Sequence, residues 1–439
     1  MNLRHTLSTL FVLATIFGLR AQTILEDYVD LAIRNHPLVR EKLAMEEKQQ
    51  YALSHARKLA GPDLKFLTQY TVAHGGRSID LPIGSLLNGV YSTLDSIAGR
   101  NIFPRLENET ISFLPNHFYD ARFRLTLPLL RPEIKYNRLI KEQELELAEL
   151  QTAETLREIK FNVKTAYMHW MQARQAVVIY EQGIGLLTEN RRIADGLVQN
   201  GMALPSAVLR IDAELEKVSA QMQKAETDLR NAAAWLNIWL GRQEDATIMP
   251  DHTLGVPDVP VSANIAAREE LLQLQTGMRL QELAGAVEKK QLSPTLGLQI
   301  EAGSQAFVPD WGGYYLGGVQ LEIPIWDNRK SRLKQQEWHA QQAATSARYE
   351  WTQKALEVQW QTAVHNLVAE MAMYNSYSSQ VNVNQRLYQE TVRRYREGMA
   401  NYIELLDART QLTQAQLEQN LALYQAWIRR IEVERYAPE

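Results

Sequence analysis

The stretch "REGMANYIELLDARTQL", residues 396–412, has a twin in "QNGMALPSAVLRIDAEL", residues 199–215. Two further landmarks recur in the same order. "GPDLKFLTQY" around Pro62 resembles "SPTLGLQIEA" around Pro294, and "RFRLTLPLLRPEIKYN" around Pro128 resembles "VQLEIPIWDNRKSR" around Pro324. From Pro128 to Gly201 the spacing is 73 residues, and from Pro324 to Gly398 it is 74. The earlier spacings, 66 and 30, differ because the first copy carries a long insertion at about 75–116. An internal repeat sets architecture before any local reading. The chain reads as a first repeat over 22–241, a linker over 242–264 and a second repeat over 265–439.

Each copy begins with a helical segment, at about 25–59 and 265–292, followed by two short alternating runs. Tyr119, Ala121, Phe123, Leu125 and Leu127 alternate with Asp120, Arg122, Arg124 and Thr126. In the second copy Leu296, Leu298 and Ile300 alternate with Gly297, Gln299 and Glu301, and Val319, Leu321 and Ile323 with Gly318, Gln320 and Glu322. Period two over this length predicts strands with one apolar and one polar face. The length also suits a membrane-spanning β-strand; a soluble, half-buried sheet would carry the same alternation.

A very long helical pattern follows each strand pair. Ile159, Val163, Ala166, Trp170, Ala173, Val177, Tyr180, Ile184 and Leu187 step by three and four, as a coiled-coil seam does. Leu356, Trp360, Ala363, Leu367, Tyr374, Tyr377 and Val381 keep that rhythm in the second copy. A helix from about 132 to 200 would be about 100 Å long at 1.5 Å per residue. Gly201 and Gly398 end these helices, and Pro205 and Asn401 start the return helices, with Glu404 placed as the partner of an Asn401 cap. Each break therefore reads as a hairpin tip.

The N-terminus has Arg4 and His5, an apolar run from Leu7 to Leu19 and then Ala21. About 13 apolar residues are too few to span a bilayer, and the segment reads as a signal peptide over 1–21. Its removal takes Arg4 and Arg20 with it and lowers the formal charge from −4 to about −6, which gives no support for nucleic-acid binding. The chain has no cysteine, so export leaves it without disulfides. It holds no zinc-protease, phosphate-loop, dinucleotide-loop or nucleophile-elbow motif, and its nine histidines are scattered. Neither an enzyme, a metal site nor a cofactor is expected.

Four strands cannot close a barrel in lipid, where every backbone group needs a partner. Three chains would supply twelve strands and a lumen. At this point the sequence resembles the TolC-type outer-membrane efflux family over essentially the whole mature chain. "ILEDYVDLAIRNHPLVR", with Asn35 and Pro37, resembles the family's first helix, and "REGMANYIELLDARTQLTQAQ" its second tip and return helix. The resemblance implies an α + β membrane protein. Four transmembrane β-strands per chain would enter a shared 12-stranded barrel of a homotrimer, in the outer membrane of a Gram-negative cell. Long antiparallel coiled α-hairpins would form a periplasmic α-barrel. It also implies a passive efflux duct working with a periplasmic adaptor and an inner-membrane transporter, without nucleic acid as a partner. A periplasmic adaptor, or an extracytoplasmic coiled-coil scaffold, is the alternative. Two hairpins and duplicated strand pairs count against the first, and lipid-facing strands against the second.

The same resemblance assigns residues. Glu404 and Asp407 match an acidic pair lining the periplasmic entrance, and as plain helix residues they read as a capping acid and a solvated charge. Tyr395 matches a tyrosine that helps to hold the entrance closed, while its usual acidic partner falls at Ala207 and a gate arginine at Ala400. Gly201, Met202, Ala203 and Leu204, with Gly398, Met399 and Ala400, match the docking tips for adaptor and pump. Asp120, Arg122, Arg124, Glu301 and Glu322 would face the barrel lumen, and the 75–116 insertion would be an extracellular loop.

Overall fold

The computed structural model describes residues 24–114, 116–251, 254–259 and 265–436. The signal peptide expected over 1–21, the last three residues and parts of the 242–264 linker lie outside them. The elements keep the order of the repeat. The first copy runs α1 (Ile24–Asn35), α2 (Pro37–Lys58), β1 (Asp63–Thr71), β2 (Ser78–Leu81), α3 (Ile83–Ala98), β3 (Glu109–Ser112), β4 (Phe118–Leu130), α4 (Pro132–Gln199) and α5 (Pro205–Trp239). The second runs α6 (Glu269–Lys290), β5 (Thr295–Phe307), β6 (Gly313–Glu322), α7 (Lys330–Arg396) and α8 (Tyr402–Tyr436). The long helices have 68 and 67 residues and the return helices 35 each. The opening segment is two helices rather than one, because Pro37 starts a new helix while the His36 ring accepts from the Leu38 N–H at 3.2 Å.

The chain divides into two units. One comprises 52–141 and 282–339 and is organised by a four-stranded antiparallel sheet in the order β1-β4-β5-β6. Each repeat gives one hairpin, and β4 joins β5 across the repeats, with Arg124 opposite Glu301 and Phe123 opposite Ala302. Directly opposed residues share a face. On one face stand Asp120, Arg122, Arg124, Gln299, Glu301, Gln320 and Glu322; on the other stand Leu64, Phe66, Tyr70, Phe123, Leu125, Leu298, Ile300, Val319 and Leu321. The charged face is tied together. The Arg124 Nε–H donates to Glu301, Arg122 donates to Asp120 at 2.5 Å, and Gln299 donates to Glu301 at 2.7 Å. Glu301 is buried, whereas Leu64, Phe66, Tyr70, Phe123, Tyr315, Val319 and Leu321 are each more than half exposed. Across β4 and β5 the charged side chains are the covered ones, with Asp120, Arg122 and Arg124 half-buried around the buried Glu301, while much of the apolar face is open, the reverse of a soluble half-buried sheet. Its edge strands β1 and β6 pair with nothing else among the described residues. No described helix is long and apolar enough to cross a membrane.

The insertion departs from the expected loop. Ser78–Leu81 pairs antiparallel with Glu109–Ser112, and between them lies α3, closed at its end by Gly99 in the left-handed region at φ 65°. Its sequence, "IGSLLNGVYSTLDSIA", carries a helical apolar period that neighbouring Gly and Pro residues obscure.

The other unit comprises the residues up to 51, 142–281 and those from 340 on. Its main core packs α1 (Tyr28, Val29, Ala32) against Ile159, Val163, Ala166, Tyr167 and Trp170 of α4, Leu236 of α5 and Ile431 of α8. The linker after α5 is stitched to this core. Tyr167 donates to the Met249 carbonyl at 3.1 Å and accepts from the Asp251 N–H, and Tyr28 accepts from the Met249 N–H at 2.8 Å. The buried Asn237 amide donates to the carbonyls of Glu244 and Ala246.

Candidate functional site

Both hairpin turns use one backbone device. At the first, Met202 N–H bonds the Leu197 carbonyl at 2.8 Å and Gly201 N–H bonds that of Val198 at 3.0 Å. At the second, Met399 N–H bonds Arg394 at 2.8 Å and Gly398 N–H bonds Tyr395 at 3.1 Å. These paired bonds satisfy the last helical carbonyls and demand a left-handed residue, here glycine at φ 71° and 73°. Pro205 opens α5 and Asn401 opens α8. The Asn401 side chain accepts from the Glu404 N–H at 2.9 Å, and Glu404 accepts from the Asn401 N–H at 3.3 Å, a reciprocal capping box. Replacing Gly201 or Gly398 by valine is expected to cost about 1–2 kcal/mol each, because an L side chain resists this conformation. The check is a lower guanidinium midpoint for loss of helix, at an unchanged slope.

The turns lie side by side: Met202 Cε is 3.8 Å from where a Cβ on Gly398 would stand. Met202, Leu204 and Met399 are exposed, joined by Leu209 and Ile403 from the first turns of the return helices. Ala203 is half-buried, and Ala400 packs on a cluster of Tyr388, Tyr395, Leu405, Ala408 and Leu412. The tip surface is apolar, and its two methionines are unbranched side chains that adapt to a partner.

Glu404 and Asp407 both face solvent on one side of α8. Glu404 also has the Arg394 guanidinium 3.6 Å away, while Asp407 accepts from Gln411 at 2.8 Å. Tyr395 sits elsewhere, 3% exposed inside the tip cluster. Burial raises the pKa of its hydroxyl, which finds no hydrogen-bond partner among the described residues. Ala207, where the resemblance puts the usual acidic partner, has no carboxylate to offer and is buried. Tyr395 therefore packs here rather than bonds.

The polar ties that join the helices near the tips lie at positions with little local signature. Arg409 of α8 is 1% exposed and donates from Nη2 to Glu214 of α5 at 2.8 Å. Its Nη1 and Nε have no partner among the described residues, and Nη1 lies 3.7 Å from where a Cβ on Gly183 would stand. Burial lowers the Arg409 pKa, and Glu214 offsets part of that effect. Nearby, Tyr388 of α7 donates to the buried Asn190 of α4 at 3.2 Å. At the surface Arg191 pairs with Asp212, Arg396 with Glu189, and Arg210 lies over the Tyr402 ring at 5.8 Å. One signal was present: Gly183 interrupts the α4 seam, and Arg409 falls between Leu405 and Leu412 on the apolar side of α8. Among the described residues no group of three or more His, Asp or Glu side chains is placed to hold a metal ion.

Comparison with known proteins agrees with this geometry. The family model described as outer membrane efflux protein matches residues 264–437, the whole second repeat. A search of curated proteins finds no match. Among solved structures, the outer-membrane channel OprN is 16% identical, with a TM-score of 0.74 over 94% of this chain and 89% of that one. VceC, an outer membrane protein of Vibrio cholerae, is 14% identical, with a TM-score of 0.73 over 94% and 95%. The open state of the Neisseria gonorrhoeae MtrE outer membrane channel is 13% identical, with a TM-score of 0.74 over 94% and 88%. The second repeat matches the outer membrane efflux protein family, and the chain as a whole has the fold of these outer-membrane channels.

Proposed function

We propose that the protein is the outer-membrane exit duct of a tripartite efflux system, a passive conduit that spans the outer membrane and extends into the periplasm. The observation that carries this reading is the inverted sheet, whose aromatic and aliphatic face is largely exposed while the charged centre of its other face, Asp120, Arg122, Arg124 and Glu301, is paired and half-buried or buried. Such a sheet suits lipid on one side and a polar lumen on the other. Both edges are open, and closure without edges in lipid requires further copies. Three chains give twelve strands. Asp120, Arg122, Arg124, Glu301 and Glu322 then line the lumen, and Tyr315, Trp311 and Trp326, all strongly exposed, stand on the lipid side and at its borders.

The helical unit supports the same assembly. α7 leaves Trp351, Val358, Val368 and Val383 exposed in the single chain, which suits packing against neighbouring protomers. The apolar tips around Met202, Leu204 and Met399 suit an adaptor and pump, and Glu404 and Asp407 suit an acidic ring at the entrance. A soluble scaffold would leave the sheet's apolar face in water, and an adaptor has one hairpin where this chain has two.

The test is fractionation of the full-length protein with its own leader. Expected is recovery in outer membranes, release by detergent alone, and a trimer on lysine cross-linking. Deletion of the gene should raise susceptibility to at least one class of exported compound in a panel of drugs, bile salts and metals. Recovery of the protein in detergent-free periplasmic extract would remove the channel reading.

A further inference from the structure

The helix in the insertion distributes its side chains in an unusual way. Successive residues turn by about 100°, which sorts α3 into three sectors. Gly84, Asn88, Tyr91 and Asp95 share the first, and the chain's own 100–108 segment covers it. The Asn88 side chain donates to the Leu106 carbonyl at 2.7 Å and accepts from the Leu106 N–H at 2.8 Å. Asp95 accepts from the N–H groups of Ile102 and Phe103 at 2.6 and 3.1 Å, and Tyr91 stacks on Phe103 at 5.2 Å. At Gly84 a Cβ would stand 2.3 Å from the Leu106 oxygen, so the strap lies directly on the helix backbone. The second sector is small and uncharged: Ser85, Gly89, Ser92, Thr93 and Ser96. The third is Leu86, Val90, Leu94 and Ile97, and it is open, with Leu86 69% and Ile97 78% exposed. The sector that the strap packs is the most polar one, while the apolar sector is left uncovered, as is the small uncharged one.

We infer that this apolar face packs against α3 of a second copy of the chain, so that the insertions close on one another over the channel mouth. The inference rests on the trimeric duct proposed above. Three observations select a second copy. First, the insertion leaves the sheet between Thr71 of β1 and Phe118 of β4, at the end where β5 turns into β6. β1 is an edge strand, the one through which a closed barrel continues into the next protomer, so the insertion stands beside that junction. Second, reach is sufficient. Twelve strands about 4.8 Å apart and tilted by about 40° close at a radius of about 12 Å, whereas the 16 residues of α3 extend about 24 Å. Third, charge permits it. The single side chain of α3 that is charged at neutral pH is Asp95, which is occupied by the strap, so copies meet without like-charge repulsion. A helix resting on lipid headgroups carries Lys or Arg along its polar side; α3 has neither.

The natural chain has no cysteine, so single cysteines report without background. Full-length protein carrying Val90→Cys or Ile97→Cys, oxidised mildly in outer-membrane vesicles, is expected to give disulfide-linked dimers several-fold more abundant than Ser96→Cys in the small, uncharged sector, about a third of a turn away on α3. Lysine cross-linking of the same samples reports the trimer independently. A normal trimer with Val90→Cys and Ile97→Cys linking no better than Ser96→Cys overturns the inference and leaves the duct standing. Quenching of a label on Val90→Cys by brominated lipid, without disulfide formation, overturns it in favour of the membrane. Loss of the trimer itself removes both readings.

Discussion

Replacing Glu214 by leucine is expected to destabilise the helical unit by about 3–5 kcal/mol, the cost of leaving a buried charge without its partner. The stranded group is Arg409, almost fully enclosed, whose only bond to an acidic group among the described residues runs to Glu214. The reverse change, Arg409→Met, is expected to cost less, about 1–3 kcal/mol. Glu214 is nearer solvent and keeps Lys217 at 3.4 Å, so it is not abandoned in the same way. The double variant Glu214→Leu with Arg409→Met should recover most of the loss, since an apolar pair of similar volume replaces a desolvated ion pair at little net cost. Guanidinium unfolding in detergent measures all three, provided the slope is unchanged. If Glu214→Leu is no worse than Glu189→Ala at the exposed Arg192 and Arg396 contacts, the Arg409 pocket is wetter than its enclosure implies.

That pair also marks where the sequence stopped being readable. The tips were legible because their chemistry is local: a left-handed glycine, a proline at a first turn, an Asn and a Glu three residues apart. The sheet faces were legible because strand parity is fixed, and the duplication was legible because spacing is conserved between the two copies. Arg409 and Glu214 are 195 residues apart on different repeats, and nothing in either stretch names the other. The insertion hid its helix for a related reason. Asn88 and Asp95 look like loop residues, yet they hold a strap seven to eighteen residues further on, and that contact turns the apolar side outward. At Tyr395 the resemblance pointed to a bonding role, whereas the hydroxyl is buried without a hydrogen-bond partner among the described residues. Local rules placed the elements; the contacts between elements needed the fold.

Neutralising Glu404 and Asp407 together is expected to lower the cation-over-anion permeability ratio of the reconstituted trimer by about tenfold, equivalent to about 1.4 kcal/mol in the barrier difference. Three copies would place six carboxylates at the entrance, and a charged ring selects ions by its field rather than by its shape. The two acids should not contribute equally. Glu404 is committed in part to the Asn401 cap and faces Arg394, whereas Asp407 meets only the neutral Gln411 amide among the described residues. Asp407→Asn alone is therefore expected to remove more selectivity than Glu404→Gln alone. Amide replacements are the informative ones, because Glu404→Gln keeps the capping geometry and separates charge from helix stability. Unfolding midpoints should move by less than about 0.5 kcal/mol, as for other exposed charges. The loss of selectivity should be largest in dilute salt, where the Debye length reaches about 30 Å, and should shrink toward 1 M. Reversal potentials under a salt gradient measure the ratio directly. An unchanged ratio in Asp407→Asn would return the pair to the role of a helix cap and a solvated charge, and would move the selective constriction elsewhere in the duct.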